Sequence, residues 1–419
     1  MTSPTPIAFL QELIRLGRDG EAAVQARVAD ALAAIGCAVE TVEYDPAAVT
    51  LKEEFASGQT LQPGRRRAVI GQLKGSGGGR SLILFAHPDG EPHGDLSRWS
   101  VDPFAGVIRD GRITGFGVAD DLSGVAAMIS GLALAQADGW RPAGDIIIAS
   151  TPSKRHARGV AALLARMAPP DAALYLHPAE SGMGMAEVKA CTPGLLEFRI
   201  SFAGKAPETV EPGQTAFAHR SVSAATVQAA LLAALAELDA ARGTRILHER
   251  IAGFVGRATN LHVSHATLGV TGKRNTIAVS GVIEGAVSMP PGERLADVQA
   301  EIAAAVVAVF AHQPFDALPK PEITFLAGVA GAEVPADHPL FRAADDAITA
   351  VVGKPAFVNP VHTASDIRVP ILQTGIPCIG LGPLGGNLTQ NGFADEWVDA
   401  ADHERCVAVV ADILKAWCG

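Results

Sequence analysis

The chain has 419 residues, of which 48% are hydrophobic and 19% charged, and its formal net charge is −10. The acidic balance argues against a nucleic-acid partner, and the length predicts more than one domain. A signal peptide and an uninterrupted apolar run of about 20 residues are both missing from the sequence, so we expect no membrane span, and five scattered cysteines predict reduced thiols in a cytoplasmic protein.

From residue 6 to residue 192, apolar residues recur alternately with the helical and the extended period. Helices are predicted at 6–18, 21–35, 122–137 and 159–167, and strands at 38–44, 68–73, 81–86, 145–150 and 172–176. Gly36 supplies a stop after the second helix. Strands that alternate with helices predict an α/β domain, in which a mostly parallel sheet is flanked by helices on both faces.

Near residue 193 the pattern changes to alternating apolar and polar residues. Strands are predicted at 195–202, 260–268 and 276–284, and helices at 223–240 and 295–311. This β-α-β-β-α order predicts a small α+β open-faced sandwich. After a proline-flanked linker at 314–321, the α/β pattern resumes with strands at 323–327 and 377–381 and helices at 339–352 and 405–417. We therefore expect one α/β domain in two halves, 1–192 and 317–419, around an inserted domain at 193–316.

A candidate metal site follows the predicted strand 81–86. His87 and Asp89 come directly after that strand, and Asp120 lies where a glycine-rich loop meets a helix. Ligands of open α/β sheets bind beyond the carboxyl ends of strands, and a metal-bound histidine usually has its second ring nitrogen fixed by a carboxylate or carbonyl. A His-x-Asp pair alone is common, so this motif by itself does not establish a site.

The longer string is more specific. After His87 and Asp89 come the segment WSVDPF (99–104) and the block GFGVADDLSG (115–124). In order and spacing the chain resembles the M20 metallopeptidase family, which includes aminoacylases, acetylornithine deacetylases, succinyl-diaminopimelate desuccinylases and carboxypeptidase G. The glycine-rich block lacks the family's usual Arg and Lys. The resemblance implies a zinc-peptidase-like α/β domain whose insert is a lid and dimerisation domain, and hence a homodimer.

The family's site normally holds two metals that share one aspartate, and the resemblance assigns this role to Asp120. His87 is a second ligand of the first metal, and His177 stands where the third ligand is normally a carboxylate. Lys154 and Arg155 occupy the positions of the family's Glu-Glu pair, and an arginine cannot bind a cation. The family's C-terminal histidine, expected just after 382–383, is also missing. We therefore predict one divalent metal ion per subunit, Zn, Mn or Fe, held by His87, Asp120 and His177.

Other positions are candidates for catalysis or substrate binding. Asp89 is expected to accept a hydrogen bond from His87 and fix its tautomer. Glu180 could replace the missing general base, or could be an ordinary loop carboxylate. Lys154 could stabilise an oxyanion or bind a substrate carboxylate, as could Arg155. By the resemblance, three further residues are expected to bind substrate: His362, Arg368 and, from the lid, Asn275.

Two functions remain open at this point. The first is an atypical metal-dependent hydrolase of a C–N bond, amide or amine, in a small and anionic substrate. The changed base and the absence of the family's lid histidine favour such an enzyme over a general peptidase. The second is a non-catalytic relative that has lost the metal and binds an anionic ligand or a partner through the old cleft.

Overall fold

The computed structural model describes residues 5–56, 64–90, 93–156, 158–179, 181–312, 314–386 and 394–419. Within them, helices α1 to α10 span Pro6–Leu16, Glu21–Ala34, Ser123–Ala137, Gly159–Leu164, Ala224–Arg245, Glu249–Val255, Leu295–Val309, Pro339–Val352, Arg368–Thr374 and Ala400–Cys418. Strands β1 to β18 span Ala38–Tyr44, Glu54–Ala56, Arg66–Leu73, Leu82–Ala86, Val107–Arg109, Arg112–Thr114, Ile146–Ser150, Ala172–Leu176, Glu187–Val188, Cys191–Thr192, Gly194–Ala203, Asn260–Leu268, Ser280–Met289, Glu322–Val329, Ala332–Glu333, Phe357–Val358, Cys378–Leu381 and Trp397–Asp399. The chain divides into two units: Met1–Lys52, Leu61–Cys191 and Glu333–Gly419 form the first, and Glu53–Thr60 and Thr192–Ala332 form the second.

A six-stranded sheet with the order β1-β3-β7-β4-β8-β17 forms the centre of the first unit. Neighbouring strands are parallel from β7 through β4 and β8 to β17, whereas β3 is antiparallel to both of its neighbours. The mixed α/β class expected from the sequence is confirmed. The parallel arrangement is limited to the four strands that run from β7 to β17.

Helices cover both faces of this sheet, which explains why its central strands are continuous apolar runs. All of β4 is buried, and successive side chains point to opposite faces. Leu84 packs in a cluster with residues of α1, α2, α3, α8 and α10, whereas Phe85 packs with residues of α4 and α9. Helices α3 and α10 approach closely at Gly131, where an added Cβ would lie 2.4 Å from a Val410 methyl group.

The second unit contains a five-stranded antiparallel sheet with the order β12-β13-β11-β14-β2. Burial alternates along β11 and β13, as expected for strands with one covered face. Helix α5 contacts β11, β12 and β13, and α7 contacts β14 and α5. The β-α-β-β-α pattern of the sequence thus corresponds to a sheet with helices packed on it.

One strand was assigned to the wrong part of the chain by the sequence analysis. The segment 323–327 was predicted to belong to the resumed α/β half, but β14 pairs antiparallel with β11, with Glu322 opposite Ser201. The second unit accordingly extends to Ala332, beyond the boundary expected at residue 316. A short strand after a linker looks the same whichever sheet it joins, because its partner lies more than 100 residues earlier in the chain. The three-residue β2 was not predicted at all.

Within the described residues, two helical segments are long and apolar enough to cross a membrane, judged by length and composition alone. Val118–Ala137 is 83% buried, as core helices are, whereas Ala224–Arg245 is 22% buried. Such segments are weak support for a membrane span, because core helices pass the same test. The expectation that the protein has no membrane partner therefore stays a prediction.

Candidate metal centre

The candidate site lies at one edge of the first unit's sheet, where three neighbouring parallel strands end. His87 directly follows β4, Lys154 follows β7 by four residues, and His177 directly follows β8. Because the carboxyl ends of parallel strands share an edge, these side chains are brought together. Asp120 lies in the turn Val118–Leu122, where its backbone is extended with a φ of −153°, and Gly117 before that turn has a φ of 73°, which glycine adopts readily.

Three side chains predicted as metal ligands converge on one point. Asp120 Oδ1 lies 3.0 Å from His87 Nε2 and 3.3 Å from His177 Nε2. One donor atom from each residue lies within 4.8 Å of the other two, and all three residues are buried. Such spacing suits donors that each bind one ion at about 2.0–2.2 Å. The sequence therefore identified a convergent set of two imidazoles and one carboxylate.

Lys154 contacts Asp120 on the side opposite the two imidazoles. Its Nζ forms an ion pair with Asp120 Oδ2, the oxygen that does not contact the imidazoles. Burial alone would raise the pKa of Asp120, but the charge of Lys154 and hydrogen bonds from His177 and His87 hold that pKa well below its usual range. Asp120 is thus a carboxylate that joins two imidazoles to an ammonium group.

The second nitrogen of His87 is fixed by Asp89, but through an atom that the sequence did not predict. His87 Nδ1 lies 2.8 Å from the Asp89 main-chain oxygen and 3.5 Å from its carboxylate. The carboxylate is occupied by other donors: the main-chain N–H groups of Ser153, at 2.9 Å, and Lys154, at 3.1 Å, and the Arg66 guanidinium, at 3.0 Å. The expected carboxylate–histidine pair is therefore corrected to a carbonyl–histidine pair, and the carboxylate instead anchors the loop that carries Lys154.

The pKa of His87 is set by burial and by neighbouring carboxylates. Burial would lower the pKa of His87, but hydrogen bonds to Asp120 and Asp89 and the negative charge of Asp121 raise it well above its usual value. Asp121 is itself fully buried, and its Oδ2 accepts the His87 main-chain N–H at 3.4 Å. Burial raises the pKa of Asp121. The cluster thus places the ionised Asp120 carboxylate beside two imidazoles and an ammonium group.

Two groups that hold the ligands in place were missed by the sequence analysis. Glu396 is 1% exposed and accepts the Ala119 N–H at 2.7 Å, which fixes the turn that carries Asp120; burial raises the pKa of Glu396 to about 8. Lys189 is fully buried and donates to the His177 carbonyl at 3.0 Å. Neither residue has a sequence signal that reveals its contacts, because Asp395 precedes Glu396 and Glu187 lies two residues before Lys189.

The substrate-binding candidates have different surroundings. The His362 ring lies 5.1 Å from that of His177, measured between centroids, so His362 borders the cluster. The Arg368 side chain is 9% exposed, and its Nη1 donates to Asp366 at 2.9 Å and to the Ala364 carbonyl at 2.7 Å. Its role in substrate binding stays a prediction. Asp366 in turn accepts a hydrogen bond from the Ser153 hydroxyl.

Three other candidates cannot be related to the cluster. Asn275 lies in the second unit, where its carbonyl accepts the Gln214 N–H at 2.8 Å. Arg155 lies in the short 3₁₀ helix Lys154–His156, but its side chain falls outside the described parts of the structure, as does all of Glu180. The roles proposed for these residues remain predictions.

Several curated relatives of the chain are succinyl-diaminopimelate desuccinylases. A succinyl-diaminopimelate desuccinylase from Rhodospirillum centenum is 30% identical over 151 residues, 36% of this chain and 35% of the relative. Another, from Magnetococcus marinus, is 44% identical over 55 residues, 13% of this chain and 14% of the relative. The matched segment thus spans about a third or less of these relatives.

Solved structures match over nearly the whole length. A metallo-carboxypeptidase of the M20 family, Sso-CP2 from Sulfolobus solfataricus, has a TM-score of 0.70 at 11% identity and 99% coverage of both chains. Aminopeptidase PepT from Bacillus cereus has a TM-score of 0.69 at 18% identity, with 98% and 97% coverage. YXEP from Bacillus subtilis, a dinuclear metal-binding M20 peptidase, has a TM-score of 0.62 at 14% identity, with 97% and 98% coverage. At these identities the likeness shows the fold.

The sequence itself matches a family description over most of its length. Residues 83–416 fit the family described as Peptidase family M20/M25/M40, and this range includes all three convergent residues and Lys154. The chain belongs to the M20/M25/M40 peptidase family.

Proposed function

We propose that the protein is a metal-dependent hydrolase that cleaves the amide C–N bond of a small, anionic substrate. One observation carries the proposal: the buried convergence of His87, Asp120 and His177 on a single point. Buried polar groups are costly to a fold unless they are satisfied, so their concentration at the end of parallel strands indicates a ligand.

The donor set fits a single divalent cation. Two imidazoles and one carboxylate are ligands of Zn, and of Mn or Fe as well. A cation bound there would act as a Lewis acid and lower the pKa of a water molecule, so that the water becomes a nucleophile at neutral pH. The main-chain oxygens of Asp89 and Pro178 lie 2.8 Å and 3.1 Å from the Nδ1 atoms of His87 and His177. Both rings can therefore keep the proton on Nδ1 and present Nε2 as a ligand.

Lys154 takes the place of a second cation in this proposal. Its ammonium group contacts the Asp120 oxygen opposite the imidazoles, so a positive charge already lies there. The Lys154 side chain is 24% exposed, so part of it is accessible to solvent. We infer that it stabilises negative charge on the carbonyl oxygen during attack, or holds a carboxylate of the substrate. The general base is not assigned; Glu180 remains its predicted replacement.

The substrate class follows from charge and from the names of relatives. The curated relatives are succinyl-diaminopimelate desuccinylases, and solved relatives include peptidases and an amidase of the hydantoinase/carbamoylase family. All of these names refer to amide-type bonds, which supports an amide over an amine. A succinyl group carries a carboxylate, which suits a site that contains Lys154. We therefore favour an N-acylated amino acid over a general peptide.

Two expectations about the whole protein remain part of the proposal. A homodimer formed through the second unit is proposed from the family's lid and dimerisation domain. A cytoplasmic location is proposed from cysteine usage: all five cysteines are free and buried. Size-exclusion chromatography with light scattering tests the first, and localisation of a tagged full-length chain tests the second.

A second candidate function is a metal-free binding protein, and the Lys154–Asp120 ion pair favours it. That contact neutralises Asp120 without any metal, so the cluster is electrostatically satisfied as it stands. In this case the site would bind an anionic ligand through Lys154, and zinc would not affect binding.

Calorimetric titration of metal-stripped protein with Zn²⁺ and Mn²⁺ separates the two functions. We expect one ion per chain, with binding abolished in His87→Ala and His177→Ala and retained in a matched control, His265→Ala, whose imidazole lies on an exposed strand of the second unit. Hydrolysis of N-succinyl and N-acetyl amino acids should follow metal content in the same series. The absence of stoichiometric binding, or full metal content in His177→Ala, would overturn the metallohydrolase proposal.

A further inference from the structure

A fully buried ion pair lies next to the main chain of His177. Lys189 Nζ is 3.0 Å from Glu187 Oε1, and neither side chain has any exposed surface. Both residues lie at the short strand β9, which pairs with β16. Buried ion pairs contribute little net stability, because the cost of removing two charges from water offsets their attraction. Stability alone is therefore a weak reason for this pair.

The lysine of this pair contacts the main chain of the metal ligand. Lys189 Nζ donates to the carbonyl oxygens of His177, at 3.0 Å, and Pro178, at 2.8 Å. The Pro178 oxygen is also the atom that lies 3.1 Å from His177 Nδ1. The Pro178 oxygen thus accepts one hydrogen bond from the Lys189 ammonium group and another from the His177 ring. Because the ammonium fixes that oxygen, the ring keeps its proton on Nδ1 and turns Nε2 toward Asp120.

The main chains of Lys189 and His177 are both hydrogen-bonded to strand β17. Lys189 exchanges two hydrogen bonds with Gly380 of β17, each 2.7 Å long, and the His177 N–H donates to Leu381 of β17 at 2.9 Å. Side-chain space is limited there, because a Cβ added to Gly380 would lie 3.2 Å from Lys189 Cβ. The ammonium group and the ligand therefore share one rigid frame, which is what a positioning contact requires.

Glu187 is the carboxylate partner of the buried lysine. Burial would raise the pKa of Glu187, but the charge of Lys189 lowers it. The carboxylate therefore acts as a counter-ion for an ammonium group whose other contacts are carbonyl oxygens. A neutral side chain in place of Lys189 would lose the charge-assisted hydrogen bonds to both carbonyls.

We propose that Lys189, with Glu187 as its buried counter-ion, is a positioning residue that fixes the tautomer and orientation of His177 as a metal ligand. The proposal rests on the proposed function in that it takes His177 to be a ligand. It goes beyond that function, because the ion pair touches no substrate and no metal.

The test removes both charges together, so that no buried charge is left unpaired. The variant Lys189→Met/Glu187→Gln keeps side-chain volume and is compared with the original protein. The matched control, Arg242→Met/Glu293→Gln, removes another buried cation and its carboxylate partner, which lie at 2.7 Å in the second unit. Circular dichroism and thermal unfolding first establish that both variants fold.

Two readouts are then taken. The first is the affinity and d–d absorption spectrum of Co²⁺ bound to each protein. We expect the Lys189/Glu187 variant to bind Co²⁺ about 10- to 100-fold more weakly, the effect usual for groups that orient a ligand, with a changed spectrum. The second is the ring-nitrogen shifts of His177 in metal-free protein labelled with ¹⁵N-histidine, assigned with His177→Gln. These shifts should report a protonated Nδ1 in the original protein and a partly deprotonated Nδ1 in the variant.

The outcomes separate the two proposals. If the original protein binds no Co²⁺, the metallohydrolase proposal fails, and the ¹⁵N comparison still decides the role of Lys189. If the Lys189/Glu187 variant retains the original affinity, spectrum and His177 tautomer, the positioning role is overturned. The same holds if the Arg242/Glu293 control changes the cobalt spectrum as much, because the effect would then reflect general loss of stability.

Discussion

The two units bury charge in different ways. In the second unit Arg242, 1% exposed, lies 2.7 Å from both Glu293 and Glu301, so a cation is enclosed by carboxylates. In the first unit the buried groups at the sheet edge turn two imidazole nitrogens and a carboxylate toward one point. In the second unit the buried charges neutralise one another. In the first unit the donor atoms point to a common position where an ion can bind. Burial of charge alone therefore does not identify a functional site; the direction of the lone pairs does.

The largest expected effect comes from removing the shared carboxylate. In Asp120→Asn we expect the affinity for Zn²⁺ to fall at least about 1,000-fold, because a charged ligand carries a large share of a binding free energy on the order of 10 kcal/mol. Isothermal titration measures the change. The control is Asp145→Asn, which removes a carboxylate at the opposite end of β7, where it pairs with Lys74 at 2.7 Å. Equal losses in the two variants would contradict the role of Asp120 as a metal ligand.

The counterpart in the second unit should change stability without changing metal affinity. Arg242→Met leaves Glu293 without its cation, whereas Glu301 keeps its ion pair with Arg245 at 2.5 Å. We expect the free energy of unfolding to fall by about 3–4 kcal/mol. Urea unfolding followed by circular dichroism measures this loss. A stability loss no larger than that of an ordinary surface substitution would contradict this prediction. A loss of Zn²⁺ affinity at temperatures where the variant is folded would contradict it as well.

A smaller effect concerns pH and the first unit. His403 of α10 is fully buried, and burial lowers its pKa from 6.5 to about 4. Between these values the unfolded chain binds a proton that the folded chain does not, so the free energy of unfolding falls as the pH falls from 6.5 towards 4. The loss contributed by this residue should approach about 3 kcal/mol.

The variant His403→Phe tests this pH dependence. Stability measured by urea unfolding between neutral pH and pH 4 should change less steeply in the variant, whereas the exposed His265→Ala should keep the original slope. Among the described residues, the buried histidines all lie in the first unit. Hydrogen exchange should therefore show that amides of α10 lose protection in acid before those of the second unit. An unchanged slope in His403→Phe would contradict the assignment to this side chain.

The sequence predicted the parts of the site that depend on strand ends. His87 and His177 each follow a short apolar run, and those runs are the adjacent parallel strands β4 and β8. Parallel strands end at one edge, so convergence of the two histidines follows from the fold class. The family resemblance supplied Asp120 and the significance of Lys154.

What the sequence could not provide were pairings between distant segments. The carboxylate of Asp89 is diverted from His87 by Arg66, which lies on another strand 23 residues earlier. Glu187 and Lys189 form a buried ion pair only because β9 lies beside β16 and β17, and a Glu-x-Lys sequence reads equally well as a solvated strand edge. Strand β14 was misassigned for the same reason, because its register with β11 is not encoded locally.

The contact between Lys154 and Asp120 has a consequence for handling the protein. Zinc fingers unfold when stripped of their ion because nothing else neutralises their ligands. Here an ammonium group on the chain already offsets the shared carboxylate, so chelation should yield a folded, reloadable protein. Different divalent ions could then be exchanged into the same preparation and their rates compared directly, with the scaffold held constant.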